Sequence, residues 1–377
     1  GVEGAEAESK ATFGTLGAGT MDYDLTVTAT GLKSGFVIGT TDVNDGADIT
    51  IDASGVTGAV TIGDIDNGSG DAVNVNVTTA GKALSIGSID ASDDIKVTAN
   101  SATTAAVGII GGSVATADVT VDLNAATGAV TLDNISGKNV TLKLASTIGG
   151  VSGTDDGAND MDLITISKSL TATLSELQDN QIDVAGATSS TDLTVDVTGG
   201  TLVDTLTFKS VATQEAMTIK GDLGSGTDVV TIDLDTNDHA ASGAVLDLTG
   251  LTNYDAAAIT TAADDAVTIK LGTGSDADTI IINDDAAKVR TISGFDADND
   301  ILKFIDTAAL QLVGAATKGF VSTTQAAAIA GAAEDLNVLR QRANAIEMYT
   351  TADLQTMGIG AILDERAREL YGEEYRH

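Results

Sequence analysis

The chain has 377 residues, enough for two or three domains, and contains 42 Gly, 3% aromatic residues and no Pro or Trp. Its formal charge is −36, which repels nucleic acid and anionic lipid and draws cations. The absence of Cys excludes disulfides and thiol chemistry, and no run of 18 or more apolar residues encodes a membrane span.

Residues 1–46 open with an acidic lead, Val2-Glu3-Gly4-Ala5-Glu6-Ala7-Glu8, followed by extended patterns at Leu25-Thr26-Val27 and Phe36-Val37-Ile38. This segment reads as an N-terminal cap or joint, since the open end of a stacked fold exposes unpaired backbone and an apolar cross-section.

Residues 47–150 repeat one short unit. An apolar pair or triplet alternates with polar residues, then a turn of Gly, Asp, Asn, Ser and Thr follows. The units begin at Ile49, Val60, Val73, Leu84, Ile95, Val107, Val119, Val130 and Val140, at spacings of 11, 13, 11, 11, 12, 12, 11 and 10 residues. So short a period predicts near-identical stacked units. Val, Ile and Thr favour extended backbone because branching at Cβ restricts χ1. Missing Pro suits a ladder in which every N–H is needed. Two such strands per coil predict a parallel β-solenoid with roughly 22 residues per coil and coils about 4.8 Å apart. An antiparallel sandwich has similar strand spacing; the turns lack the Asn-Gly signals of tight hairpins, which favours the solenoid.

Residues 151–319 read as a second β array. It opens with the acidic loop Gly153-Thr154-Asp155-Asp156-Gly157-Ala158-Asn159-Asp160, and a short helical turn is expected at Ser175-Glu176-Leu177-Gln178. Strand signals return at Leu193, Leu206, Met217, Val230, Val267 and Ile280 with less even spacing. Residues 320–377 are different material. Before them lie 13 Lys and one Arg; within them are five Arg and no Lys. Leu336, Leu339, Ala343 and Ile346, then Ile362, Leu363, Ala367 and Leu370, recur at helical spacing, so a short helical C-terminal segment is expected.

The acids are lopsided: residues 1–319 hold 41 Asp and 5 Glu. Asp sits naturally in turns, and Asp in Gly-rich turns is the composition of a calcium surface; the plainer reading is that it keeps turns soluble. Leu223-Gly224-Ser225-Gly226-Thr227-Asp228-Val229 fits most of a glycine-rich calcium nonapeptide, in which glycines permit a sharp turn whose carbonyls and Asp face the ion. Gly272-Thr273-Gly274-Ser275-Asp276-Ala277-Asp278 is a looser copy. Asp296-Ala297-Asp298-Asn299-Asp300 has alternate carboxylates but lacks the Gly and terminal Glu of an EF-hand. The clusters Asp64, Asp66, Asp71 and Asp233, Asp235, Asp238, with the loop acids Asp155, Asp156 and Asp160, complete the candidate calcium ligands.

The run Gly294-Phe295-Asp296-Ala297-Asp298-Asn299-Asp300-Ile301-Leu302-Lys303-Phe304, after those turns, resembles the end of the calcium-binding RTX region of proteins exported by type I secretion. The Thr/Val/Ala/Asp repeats before it resemble bacterial surface-layer proteins that use that route. The resemblance covers roughly residues 40–310. It implies an extracellular protein that folds after export, when calcium neutralises its acids, and that assembles laterally with itself. The tail, Asp335-Leu336-Asn337-Val338-Leu339-Arg340-Gln341-Arg342-Ala343 and Ile362 to Arg376, resembles a helical stretch of SusD-type glycan-binding lipoproteins over about 45 residues. The rest of that all-helical fold is missing, so glycan binding is not carried over.

Catalysis finds little support. The histidines are His239 and His377, there is no Gly-x-Ser-x-Gly elbow, and no Trp offers a sugar platform. The expectation is therefore a non-enzymatic, calcium-stabilised structural protein of the bacterial cell surface, a surface layer or filament. Its partners are itself and cell-surface polysaccharide. The alternative is an extracellular adhesin or passenger domain binding a host or glycan ligand.

Overall fold

The computed structural model describes residues 2–304 apart from 4–9, 18–23, 44–46, 68–71, 79–81, 101, 126–129, 145–159, 175–179, 188–191, 210–215, 235–243, 262–266, 273–275, 283–290 and 297–298. The expected helical turn at 175–178 and the expected helical tail lie outside the described residues. Nearly all of what is described belongs to one compact unit, Gly1–Asn283 with Lys288–Lys303.

That unit is a parallel β-solenoid. Strand follows strand, and each pairs with its equivalent one coil later: Leu25 with Ile49, Ile49 with Val73, Val73 with Ile95, Ile95 with Val119 and Val119 with Val140, all parallel. These partners lie 24, 24, 22, 24 and 21 residues apart. The coil is thus two of the sequence units long, as the doubled spacing predicts, and parallel pairing excludes the antiparallel sandwich.

Each coil of the first half has three strands rather than two. A long strand such as Ile49–Gly55 is followed by Ala59–Ile62 and then by the three-residue Ile65–Asn67. The same trio recurs as Val73–Thr78, Ala83–Ile86 and Ile89–Ala91, and as Ile95–Asn100, Thr104–Val107 and Ile110–Gly112. The third strand escapes a sequence reading because three residues are too few to display an alternation. From Ile135–Lys143 onward the short and long strands run together, with a register shift between Gly137 and Asn139. Further on, coils have two strands: Asn180–Gly186 with Asp192–Thr198, Asp204–Lys209 with Ala216–Asp222, and Val229–Leu234 with Ala244–Thr252.

Inward positions stack into aliphatic columns. Ile51, Val75, Val97, Val121, Leu142, Ala172 and Val197 are register partners in succession, and all are buried. Burying a Val, Ile or Leu contributes roughly 1.5–3 kcal/mol. One aliphatic side chain every 4.8 Å or so fills such a column, which explains a core that needs no Trp.

The outward faces differ. On the long strands Lys143 pairs with Asp122 at 3.2 Å, Lys220 with Asp196 at 3.0 Å and Lys270 with Asp247 at 2.9 Å, each lysine reaching back one coil. On the short strands Asp42, Asp66 and Asp90 are in register. The middle strands form a separate six-stranded sheet from Lys10–Phe13 to Val130–Leu132. One of its columns runs Lys10, the buried Gly35, then Ala59, and at the same position further along Ala83 pairs with Thr104. No helix among the described residues is long and apolar enough to cross a membrane.

Candidate functional site

The second half of the stack carries its polar groups in a line. Asn180, Asp204, Asp228, Asp255, Asp278 and Asp300 each stand at or just before the start of a strand, one per coil. The side chain of each Asp accepts a hydrogen bond from the coil before it. Asn180 Nδ2 donates to Asp204 Oδ1 at 2.6 Å, and the Asp204 amide donates to Asp228 Oδ1 at 2.8 Å. The Asp228 amide donates to Asp255 Oδ2 at 2.8 Å, Ala257 N to Asp278 Oδ1 at 3.0 Å, and the Asp278 amide to Asp300 Oδ1 at 3.0 Å. Asp300 closes its own turn as well, accepting from Asp296 N at 2.6 Å. The short Asp side chain suits this work, because it reaches a neighbouring backbone amide where a strand leaves its turn.

Asp204, Asp228 and Asp278 are buried, as is Asn180. Burying carboxylates in sequence is costly unless each is neutralised or hydrogen-bonded. Asp204 meets that need with Asn180 and with the Gly200 amide at 3.2 Å. Asp228 Oδ2 has no hydrogen-bond partner. Burial pushes the Asp228 carboxyl above its ordinary range against the opposing Asp204 N–H, and the nearby Asp255 charge adds to the rise. Burial likewise lifts Asp278 to about 6, with Asp276 and Asp300 adding to it. Tyr254 O–H donates to Asp278 Oδ2 at 3.3 Å, and its own pKa is raised by burial and by Asp276.

The glycines of the turn act by close approach. Gly224 has φ of +93°, and a Cβ there would strike the Gly200 carbonyl of the preceding coil; at Gly226 it would strike the Leu202 carbonyl. Successive turns therefore lie against each other backbone to backbone.

Of the expected ligands, Asp228, Asp278 and Asp300 belong to this column, and Gly224 and Gly226 shape its turn. Asp276 and Gly272 lie beside Tyr254. Asp296 Oδ2 accepts from Asn299 Nδ2 at 3.0 Å. Asp233 stands apart on the outer face, in register with Lys209 and Thr260. Asp64 accepts from the Ser88 amide at 2.9 Å, far from the column in sequence, and Asp66 belongs to the short-strand face. Asp160 opens the strand Asp160–Thr173 and pairs with Gln181. Asp71, Asp155, Asp156, Asp235, Asp238, Gly274 and Asp298 lie outside the described residues. Among the described residues no three or more His, Cys, Asp or Glu side chains gather into a metal-holding group.

Asn180, Asp204, Tyr254 and Asp255 are column residues that the motifs do not flag. A signal for one existed: Gly200 and Asp204 precede Gly224 and Asp228 by 24 residues each, one coil.

No family model, no curated protein and no solved structure matches the chain.

Proposed function

We propose that the chain is a secreted structural protein of a bacterial surface, stabilised by calcium and assembling with copies of itself into a layer or filament. The observation that carries this reading is the union of an uninterrupted parallel stack with a file of turn carboxylates along it. A stack of this kind offers length and repeated faces for assembly. Its −36 charge calls for cations before copies can approach.

The donors fit calcium in kind: they are carboxylate oxygens and turn carbonyls, the hard oxygen ligands that this ion takes. The unpartnered buried oxygen of Asp228 is a point where an added positive charge relieves cost. Ions would be held between adjacent coils, one beside Asp228 and the Gly224–Gly226 turn and another beside Asp278 with Asp276 and Asp300. When bound, such ions would neutralise the carboxylates beside them and offset repulsion between coils.

The test is electron microscopy and light scattering of purified chain with millimolar calcium and again in excess EDTA. Regular arrays in calcium that dissolve on chelation are the expected result. Arrays indifferent to EDTA overturn the calcium part. A chain that stays monomeric in calcium while binding a host or glycan ligand overturns the assembly part and makes it an adhesin.

A further inference from the structure

The six-stranded sheet sets Thr12, Val37, Thr61, Ser85, Ala106 and Thr131 in one outward column, all six exposed or half-exposed and in parallel register. The column beside it contributes a single charge, Lys10, and these two columns contain no acid. In a chain that carries Asp in turn after turn, an acid-free face six strands high is set apart from the long-strand face with its Asp–Lys pairs and from the short-strand face with its Asp file. Its two margins have opposite sign. Exposed Lys33 and Lys82 stand where strands of this sheet begin; exposed Asp64 and half-exposed Asp133 stand where others end. Ile109, 48% exposed, lies on the ending margin too.

We infer that a second copy of the chain docks on this sheet face to face, about a two-fold axis parallel to the stacking direction. This deepens the assembly reading above, and rests on it for why a weak contact suffices. The rotation keeps each strand at its height and reverses its direction, so the lysine margin of one copy meets the aspartate margin of the other. With no slip along the stack, Asp64 of the second copy stands one strand spacing, about 4.8 Å in height, from both Lys33 and Lys82. The other two-fold, along the strands, sets lysine margin on lysine margin. On the short-strand face two copies would bring Asp files together, and on the long-strand face Asp and Lys are already paired within the chain. The small side chains Ala, Ser and Thr let two flat faces approach closely. Six strands at ~4.8 Å and four residues at ~3.3 Å give roughly 300–400 Å² per copy, under half the ~800 Å² per partner of a standard stable interface. The contact is weak singly and strong when repeated through an array.

The test uses the full chain in sedimentation velocity from 10 µM to 1 mM, with and without calcium. A concentration-dependent dimer is expected. Thr61→Arg with Ser85→Arg weakens it at least tenfold, whereas Thr26→Arg with Thr171→Arg, exposed on the long-strand face, leaves it unchanged. The chain has no cysteine, so Ala106→Cys reports orientation: mild oxidation links it to itself under the axis proposed, and Thr26→Cys does not link. A monomer throughout the range, an unaffected Thr61/Ser85 variant, or Ala106→Cys linking no better than Thr26→Cys overturns the inference. Loss of polysaccharide binding in the Thr61/Ser85 variant of a monomeric chain overturns it in favour of a glycan face. Calcium arrays unaltered by that variant sink this contact and leave the assembly reading standing; a persistent dimer with no arrays does the reverse.

Discussion

Asp278 shows how one residue type serves two needs. Its Oδ1 accepts an amide from the coil before and its own amide donates to the coil after, so it ties three coils together. The cost is a carboxyl in a nearly dry site, lifted to about 6 from an ordinary 3.8, chiefly by burial. Because the folded value lies above the unfolded one, protonation favours the fold. The contribution is complete below about pH 3.8 and is lost as pH rises through about 6. Metal-free chain should therefore unfold at a higher temperature at pH 5 than at pH 7.5. Relief of general acid repulsion acts in the same direction, so the readout is a comparison. In Asp278→Asn the difference between the two pH values should shrink, measured by thermal circular dichroism. A variant with an undiminished pH difference removes Asp278 from the explanation. Asp247 contrasts with it: hydrogen bonds from the Thr249 hydroxyl and from Lys270 hold its carboxyl below the ordinary range.

At the scale of the turn, backbone packing decides which substitutions are tolerated. Gly224 combines a left-handed φ with a neighbouring carbonyl where a Cβ would go, while a Cβ at Gly14 meets nothing within 4 Å. Gly224→Ala should destabilise by about 1–3 kcal/mol, the cost of a strained backbone residue, and Gly14→Ala should be near neutral. Denaturant midpoints of the two variants check this, and equal midpoints would show that the turns need not lie so close. The strands themselves follow from their sequences. Val73-Asn74-Val75-Asn76-Val77 alternates cleanly and forms the strand Val73–Thr78, inward valines buried and outward asparagines facing water. Ile65–Asn67 follows no such signal; it is a strand because Thr41 and Ile89 lie beside Ile65 in the coils on either side.

For the whole molecule, charge is the dominant long-range force. At −36, metal-free chain gains stability from any salt through screening, which acts over a Debye length of about 8–10 Å near physiological ionic strength. A cation held by the Asp column does more than screen. Millimolar calcium should raise the unfolding temperature as much as NaCl at least tenfold more concentrated, measured by calorimetry at fixed protein concentration. Equal effects at equal ionic strength would leave only screening. Near-neighbour coupling makes stability accumulate coil by coil, so loss of one column contact loosens its own coils first.

The repeat length, the parallel stacking and the aliphatic core were legible in the sequence, because a two-residue alternation returning every 10–13 positions leaves few other ways to bury Val, Ile and Leu. Asp228, Asp278 and Asp300 also stood in flagged turns, the first two after glycine-rich runs and Asp300 in a run of alternate carboxylates. What the tertiary structure alone decided is which carboxylates stand in one file and which do not. Asp233 was a candidate ligand like Asp228 yet faces outward from its strand, and Asp255 joins the file without a motif. The acid-free face was likewise invisible along the chain, since Thr61, Ser85 and Ala106 become neighbours only when coils stack. The reason is physical. Alternation is a local property of an extended strand, whereas a column is set by the register between coils, and variable turn lengths shift that register in ways no short window of sequence records.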